Sequence, residues 1–225
     1  MKEPEEASAP PTCCALDADP RVARRFDREY GDWDDAEGFP EIVEVSGRLL
    51  DALRDAATVR PTVLEIGCGT GGVSVALAEM GATNVRGVDL SPASVEVARR
   101  RAVAIGVERQ TSFDVGDGSA SSSTMRDWVV ADRVLCCDAH LDRMLDALIG
   151  AARERIALSV PESRGWRGLV NRPMWAAENV WDLLHGGCRG YVHDVRRIER
   201  RLAHAGFRPK TAGHVDLWHF AVYTR

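Results

Sequence analysis

The chain has 225 residues, 45% of them hydrophobic, and 29 Lys plus Arg against 34 Asp plus Glu leave a formal net charge of -5. That composition excludes a collagenous, coiled-coil or wholly disordered chain, and it gives no support to a protein built for nucleic acid, which needs a basic face. A chain of this length buries about 70% of its unfolded surface as one elaborated domain, so its core needs no disulfide or metal staple.

Residues 1–19 are rich in Pro, Glu, Ala and Ser and read as a mobile tail. Their start, MKEPEEASAPP, lacks the basic and apolar regions of a secretory signal, and no apolar run reaches the roughly 18 to 20 residues of a membrane span. A cytoplasmic protein is expected. A single domain over 20–225 follows, opening with a helical arm over 20–58. The arm holds a short helix at Val22–Tyr30, an acidic turn from Gly31 to Asp35, and a second helix with Ile42, Val45, Leu49, Leu50 and Leu53 at helical spacing.

Strands and helices then alternate: a strand at Thr62–Ile66, a helix to Met80, a strand at Val85–Asp89, and a helix with Ser91 as N-cap, Pro92 at its first position and Gly106 at its stop. Strands at Thr111–Val115, Val129–Leu135 and Arg155–Val160 and a helix at Leu141–Ala152 continue the pattern. Such alternation predicts a parallel, doubly wound α/β sheet. The stretch 161–194 is far longer than the usual connection and carries a helical stripe of Met174, Ala177, Trp181 and Leu184, so it is read as a lid or substrate wall. A helix from Asp194 follows. Two closing strands, Arg208–His214 and Leu217–Tyr223, are so near in sequence that they predict an antiparallel hairpin.

The first strand runs into Gly67-Cys68-Gly69-Thr70-Gly71-Gly72. Glycines there let the backbone turn tightly against a ligand, and the following helix offers N–H groups. Gly67, Gly69 and Gly72 fit a dinucleotide pattern, whereas Gly67, Gly69 and Gly71 fit that of S-adenosylmethionine enzymes. Asp89, at the end of the second strand, suits a ribose in either case. Glu65 favours the second reading, because a carboxylate there can face the cationic amino acid end of S-adenosylmethionine and has no use beside a pyrophosphate. Asp117 lies where an adenine amino group would be.

Together, Glu65-x-Gly67-x-Gly69-x-Gly71, Asp89-Leu90-Ser91, Val115-Gly116-Asp117 and the final hairpin resemble the class I S-adenosylmethionine-dependent methyltransferases over roughly residues 40–225. The resemblance implies a Rossmann-like seven-stranded sheet whose last strand is antiparallel, with the cofactor along the carboxyl ends of the strands. It assigns the loop to Gly67, Cys68, Gly69 and Gly71, the ribose to Asp89 with Leu90 beside it, the adenine to Asp117 and Gly118, and a place near the sulfonium to Cys136. A softer resemblance joins Phe26-Asp27-Arg28-Glu29-Tyr30-Gly31-Asp32 and Val134-Leu135-Cys136-Cys137 to the magnesium-protoporphyrin O-methyltransferase group. That likeness puts an active-site tyrosine at Tyr30, while Cys137 stands where the group has a histidine. The departure bears on the acceptor and leaves the methyl donor unchanged.

Methyl transfer is an in-line displacement that depends chiefly on positioning, and only an acceptor with a proton to lose wants a base. Tyr30, Cys137, Asp138 and His140 are the candidates, with His140 first because imidazole titrates near neutrality. Trp175 and Trp181 point to an aromatic or macrocyclic small-molecule acceptor. Adjacent cysteines, Cys13-Cys14 and Cys136-Cys137, chelate one tetrahedral ion awkwardly, so no metal is expected. The rival readings are a nicotinamide-dependent oxidoreductase and a non-catalytic module of the same fold.

Overall fold

The computed structural model describes residues 18–34, 36, 38–54, 60–120, 125–185 and 187–225. The tail expected over 1–19 lies outside these apart from Ala18 and Asp19, as do Cys13, Cys14 and Asp35. Two helices open the fold, α1 (Pro20–Tyr30) and α2 (Glu44–Arg54), and the alternating part follows: β1 (Thr62–Ile66), α3 (Gly72–Glu79), β2 (Asn84–Asp89), α4 (Pro92–Ile105), β3 (Thr111–Val115), β4 (Arg126–Asp132), α5 (Leu141–Ala151) and β5 (Ala152–Pro161). The chain ends in α6 (Gly165–His185), α7 (Val195–His204), β6 (Arg208–Val215) and β7 (Trp218–Thr224).

The strands form one seven-stranded sheet in the order β3-β2-β1-β4-β5-β7-β6. Strands β1 to β5 pair in parallel, and β7 pairs antiparallel with both β5 and β6. This is the Rossmann-like seven-stranded sheet, with its closing antiparallel hairpin, that the resemblance implies. Helices α2, α3 and α4 cover one face through Leu49, Leu53, Leu77 and Val95, while α5 and α7 cover the other through Leu145, Leu148, Ile198 and Leu202. Each such side chain contributes about 1.5–3 kcal/mol on leaving water. Because β1 lies between β2 and β4, the chain order reverses beside it, and the crevice outside its carboxyl end is where this architecture places ligands.

The helix at 92–105 starts and stops as its punctuation demands: the Ser91 hydroxyl accepts from Ser94 N at 3.0 Å, Pro92 takes the first position, and Gly106 caps the end in the left-handed region at φ 83. Three expectations are corrected. Strand β4 stops at Asp132 instead of Leu135, because Arg133 turns into the left-handed region at φ 56 and Leu135–Cys137 wind into a 3₁₀ turn. Ile42 precedes α2 instead of lying within it. Finally, 161–194 does contain a helix, but Met174, Trp181 and Leu184 face outward. Helix α6 docks instead through Gly168 and Asn171, where a Cβ on Gly168 would stand 2.2 Å from Ser163 O and the Asn171 amide donates to Glu162 O and Leu217 O. Farther along, Asn179 exchanges hydrogen bonds with the Gly190 backbone. None of the described helices is long and apolar enough to cross a membrane.

Candidate active site

The carboxyl ends of β1, β2 and β4 open into a cleft of about 270 Å³, roofed by α1 and by residues 40–43. At the end of β1 the backbone passes through Gly67 at φ 72, where a Cβ would meet Val134 Cγ2 at 2.3 Å. No side chain fits there. Gly67→Ala is therefore expected to lower stability by about 2 kcal/mol through overpacking and a strained φ, measured as a fall in the urea midpoint.

Four of the loop amides are already engaged. Gly67 N and Cys68 N donate to Val88 O at 2.8 and 3.2 Å, Gly71 N donates to Cys68 O at 2.9 Å, and Gly69 N donates to Asp89 Oδ2 at 2.8 Å. The other oxygen of Asp89 accepts from Ser91 N at 2.9 Å, so the carboxylate is fixed at the rim with lone pairs left for a ligand. Burial pushes its pKa up against these two hydrogen bonds. Loop amides committed in this way leave fewer donors for a pyrophosphate.

Around the loop stand four carboxyl groups, Glu65, Asp89, Asp117 and Asp132, all on the cleft wall. Glu65 is 2% exposed and accepts from the Ser74 hydroxyl. Burial, with the negative charges of Asp132 and Asp89 adding to it, pushes Glu65 up to about 8. Asp132 accepts from Ser46 and Ser159 hydroxyls at 2.5 Å each. Asp117 accepts from Ser119 N at 2.9 Å and from Arg143 at 2.7 Å. Burial raises its pKa, but the bonds from Ser119 and Arg143 outweigh that and leave it below the ordinary range. Such a wall suits a cationic ligand and repels a polyanion. Gly118 lines the cleft because a Cβ there would stand 2.5 Å from Ile66 Cγ2.

Of the residues named from sequence, Tyr30, Glu65, Gly67, Cys68, Gly69, Asp89, Leu90, Asp117, Gly118 and Cys137 line this one cleft. Gly71 caps α3 behind the loop, with Ala98 Cβ 2.8 Å from where its own Cβ would be. Cys136 is buried, its thiol pointing to Arg133 O at 3.2 Å, and Cys137 is the cysteine on the cleft. The Cys136 thiol and the cations of Arg25 and Arg133 pull the Cys137 pKa down, outweighing burial. His140 is exposed at the start of α5, off the cleft. Tyr30 is half-buried between Phe26 and Trp33, and burial together with Glu29 pushes its pKa up to about 12. Trp175 packs edge-on against Trp218 and Trp181 stacks on His185, both away from the cleft.

Three groups support the site, of which sequence reasoning gives no role to the first two and reads the third, His193, as a packing residue near the start of α7. Asp27 of α1 accepts from Ser91 Oγ at 2.7 Å and Ala93 N at 3.2 Å, clamping the arm onto the N-terminus of α4 beside Asp89. Arg143 joins Asp117 to Asp138. His193 holds its Nε2 3.0 Å from Leu135 O and 2.9 Å from Asp138 O, and Tyr191 N donates to Cys136 O at 2.8 Å. The end of the 161–194 stretch thus braces the cysteine turn from behind. Apart from Arg143 and Asp138, which are 5 residues apart, these partners lie 26 to 66 residues apart, beyond the reach of local pattern.

Residues 63–156 match the family model described as a methyltransferase domain. The chain is 36% identical over 195 residues to the ubiquinone biosynthesis O-methyltransferase of Aromatoleum aromaticum, covering 82% of this chain and 80% of that protein. It is 26% identical over 206 residues to the chloroplastic magnesium protoporphyrin IX methyltransferase of Arabidopsis thaliana, covering 84% of this chain and 62% of that one. Two further methyltransferases that it matches are spanned over only 40% and 26% of their lengths. The crystal structure of magnesium protoporphyrin IX methyltransferase from Synechocystis PCC 6803 with bound SAH shares the fold at a TM-score of 0.65 and 21% identity, covering 90% of this chain and 92% of that one. The chain belongs to the class I S-adenosylmethionine-dependent methyltransferases. Within that class it carries a likeness to the magnesium-protoporphyrin group, and its cofactor is S-adenosylmethionine.

Proposed function

We propose that the protein methylates a small-molecule acceptor that enters between α1 and the ends of β1 and β4 and already carries negative charge, a carboxylate foremost. The four-carboxylate wall around the glycine loop supports the cationic cofactor, and the observation that carries the acceptor reading is Arg133 on the same cleft beneath the apolar and aromatic side chains of the arm. Asp89 would receive the ribose hydroxyls, Asp117 and Gly118 would hold the adenine, and Glu65 would balance the ammonium. The bound cofactor supplies a methyl group activated by the adjacent sulfonium. The chain's own residues contribute position and dryness. Phe26, Tyr30 and Val22 on α1 close the cleft from above, and the Asp27 clamp keeps that helix seated.

Of the candidate bases, Cys137 and Asp138 line the cleft, and Asp138 is tied to Arg143. Tyr30 keeps its proton at neutral pH and serves as a hydrogen-bond donor to the acceptor, while His140 lies off the cleft. Arg133, on the cleft wall, attracts an anion. The apolar lining of Val22, Phe26, Ile42 and Val43 fits an acceptor with a hydrophobic or aromatic body. Methyl transfer from isotopically labelled cofactor to a panel of hydrophobic carboxylic acids, with matched phenols and amines, tests the proposal. Products among the acids support it, and turnover confined to phenols or amines defeats it. Tyr30→Phe is expected to lower kcat/KM about 10-fold for the acceptor, the worth of one buried hydrogen bond, with the affinity for S-adenosylhomocysteine unchanged in calorimetry.

A further inference from the structure

Away from the cleft, Glu162 just after β5, His214 on β6 and His219 on β7 bring three ligand atoms within 4.8 Å of one another. We propose that these residues form a site for a divalent borderline transition ion, zinc foremost, that staples the β6–β7 hairpin to the start of the 161–194 stretch. Sheet register explains the convergence: His214 pairs with His219, which in turn pairs with Val160, two residues before Glu162.

The independent observation is His219. It is 2% exposed, and neither ring nitrogen has a hydrogen-bond partner; the Gly213 carbonyl approaches the ring without completing one. A buried imidazole left unbonded is rare, because buried polar groups are nearly always satisfied. Its Nδ1 stands 3.8 Å from Glu162 Oε2, and His214 Nε2 stands 2.6 Å from the same oxygen. Ligand atoms about 2.0–2.2 Å from a tetrahedral zinc ion lie about 3.4 Å apart. Both separations fall within about 1 Å of that value.

The surroundings suit such an ion. Arg164 holds the other oxygen, Glu162 Oε1, at 3.0 Å and is itself tied to Glu199 at 2.8 Å, the outer hydrogen bonding that orients a ligating carboxylate. The Arg164 Nη2 atom, 3.1 Å from Oε2, must swing aside to admit the ion. Charge permits it: two carboxylates and one guanidinium leave a net -1 around two imidazoles. His214 is 35% exposed and gives an entry path and room for a water as fourth ligand. Asn171 of α6 donates to the Glu162 carbonyl, so an ion here holds the base of that helix as well.

The test is titration of the untagged full chain, stripped with chelator, with cobalt(II), whose visible absorption reports a four-coordinate site, followed by displacement with zinc. One equivalent bound, with bands lacking thiolate charge transfer, is expected. His214→Ala, at a partly exposed position that leaves the core intact, is expected to weaken cobalt binding at least 100-fold while S-adenosylhomocysteine affinity stays within 2-fold. Absence of stoichiometric uptake, thiolate bands, or equal uptake by His214→Ala overturns the proposal.

Discussion

Asp89→Asn is expected to weaken S-adenosylhomocysteine binding at least 100-fold in calorimetry on the folded variant, with a lower thermal midpoint because one backbone amide loses its acceptor. Asp89 is fixed by Gly69 N and Ser91 N at 2.8 and 2.9 Å, so its remaining lone pairs are aimed before any ligand arrives. Hydrogen bonds to a charged group are each worth about 1.5–3 kcal/mol, and a ribose offers two hydroxyls. Losing about 3 kcal/mol corresponds to about 100-fold. Asparagine keeps the shape of the side chain but has a single oxygen, so its NH₂ faces either Gly69 N or Ser91 N and the ribose loses an acceptor. Unchanged affinity would remove Asp89 from the ribose role.

Glu65→Gln is expected to strengthen the fold and weaken the cofactor site together. The Glu65 carboxyl is pushed up to about 8 by burial in the folded chain, against an ordinary value of 4.5. Below pH 4.5 both folded and unfolded chains hold the proton and nothing is lost. Between about 4.5 and 8 the unfolded chain gives up its proton while the folded chain keeps it. Stability therefore falls as pH rises through that window, by up to about 1.4 kcal/mol per pH unit from this group alone. Glutamine carries no such penalty, still accepts from Ser74, and should raise the urea midpoint at pH 7.5 relative to the parent chain. Binding runs the other way, since a cationic ammonium draws Glu65 into its ionised form. Between pH 6 and 7.5 the affinity of the parent chain for S-adenosylhomocysteine should rise as pH rises, with proton release seen as a dependence of the binding heat on buffer. In Glu65→Gln both trends should vanish and affinity at pH 7.5 should be lower. A variant that keeps the pH trend would take Glu65 out of contact with the ammonium.

The placing of Asp89 and Glu65 on one cleft was legible in the sequence because its physics is local. A glycine turn at the end of an apolar strand, a carboxylate two residues before it, and another closing the next strand are fixed by strand direction and register alone. What stayed hidden depended on distant partners. The apolar stripe of α6 signals a helix but points Met174 and Trp181 outward, because Gly168 and Asn171 dock the helix through close backbone approach and amide hydrogen bonds. The choice between Cys136 and Cys137 turned on the left-handed Arg133, which ends β4 early and rotates the turn that follows. Asp27 stood in the arm motif with no role of its own, because its partner Ser91 lies 64 residues on.

The measurement that bears most directly on the account is calorimetric titration of the purified chain with S-adenosylhomocysteine, with NADH in a parallel cell. The carboxylate-lined cleft predicts saturable micromolar binding of S-adenosylhomocysteine, about 8 kcal/mol of affinity, and none of NADH. Saturable binding of NADH with no response to S-adenosylhomocysteine would contradict it.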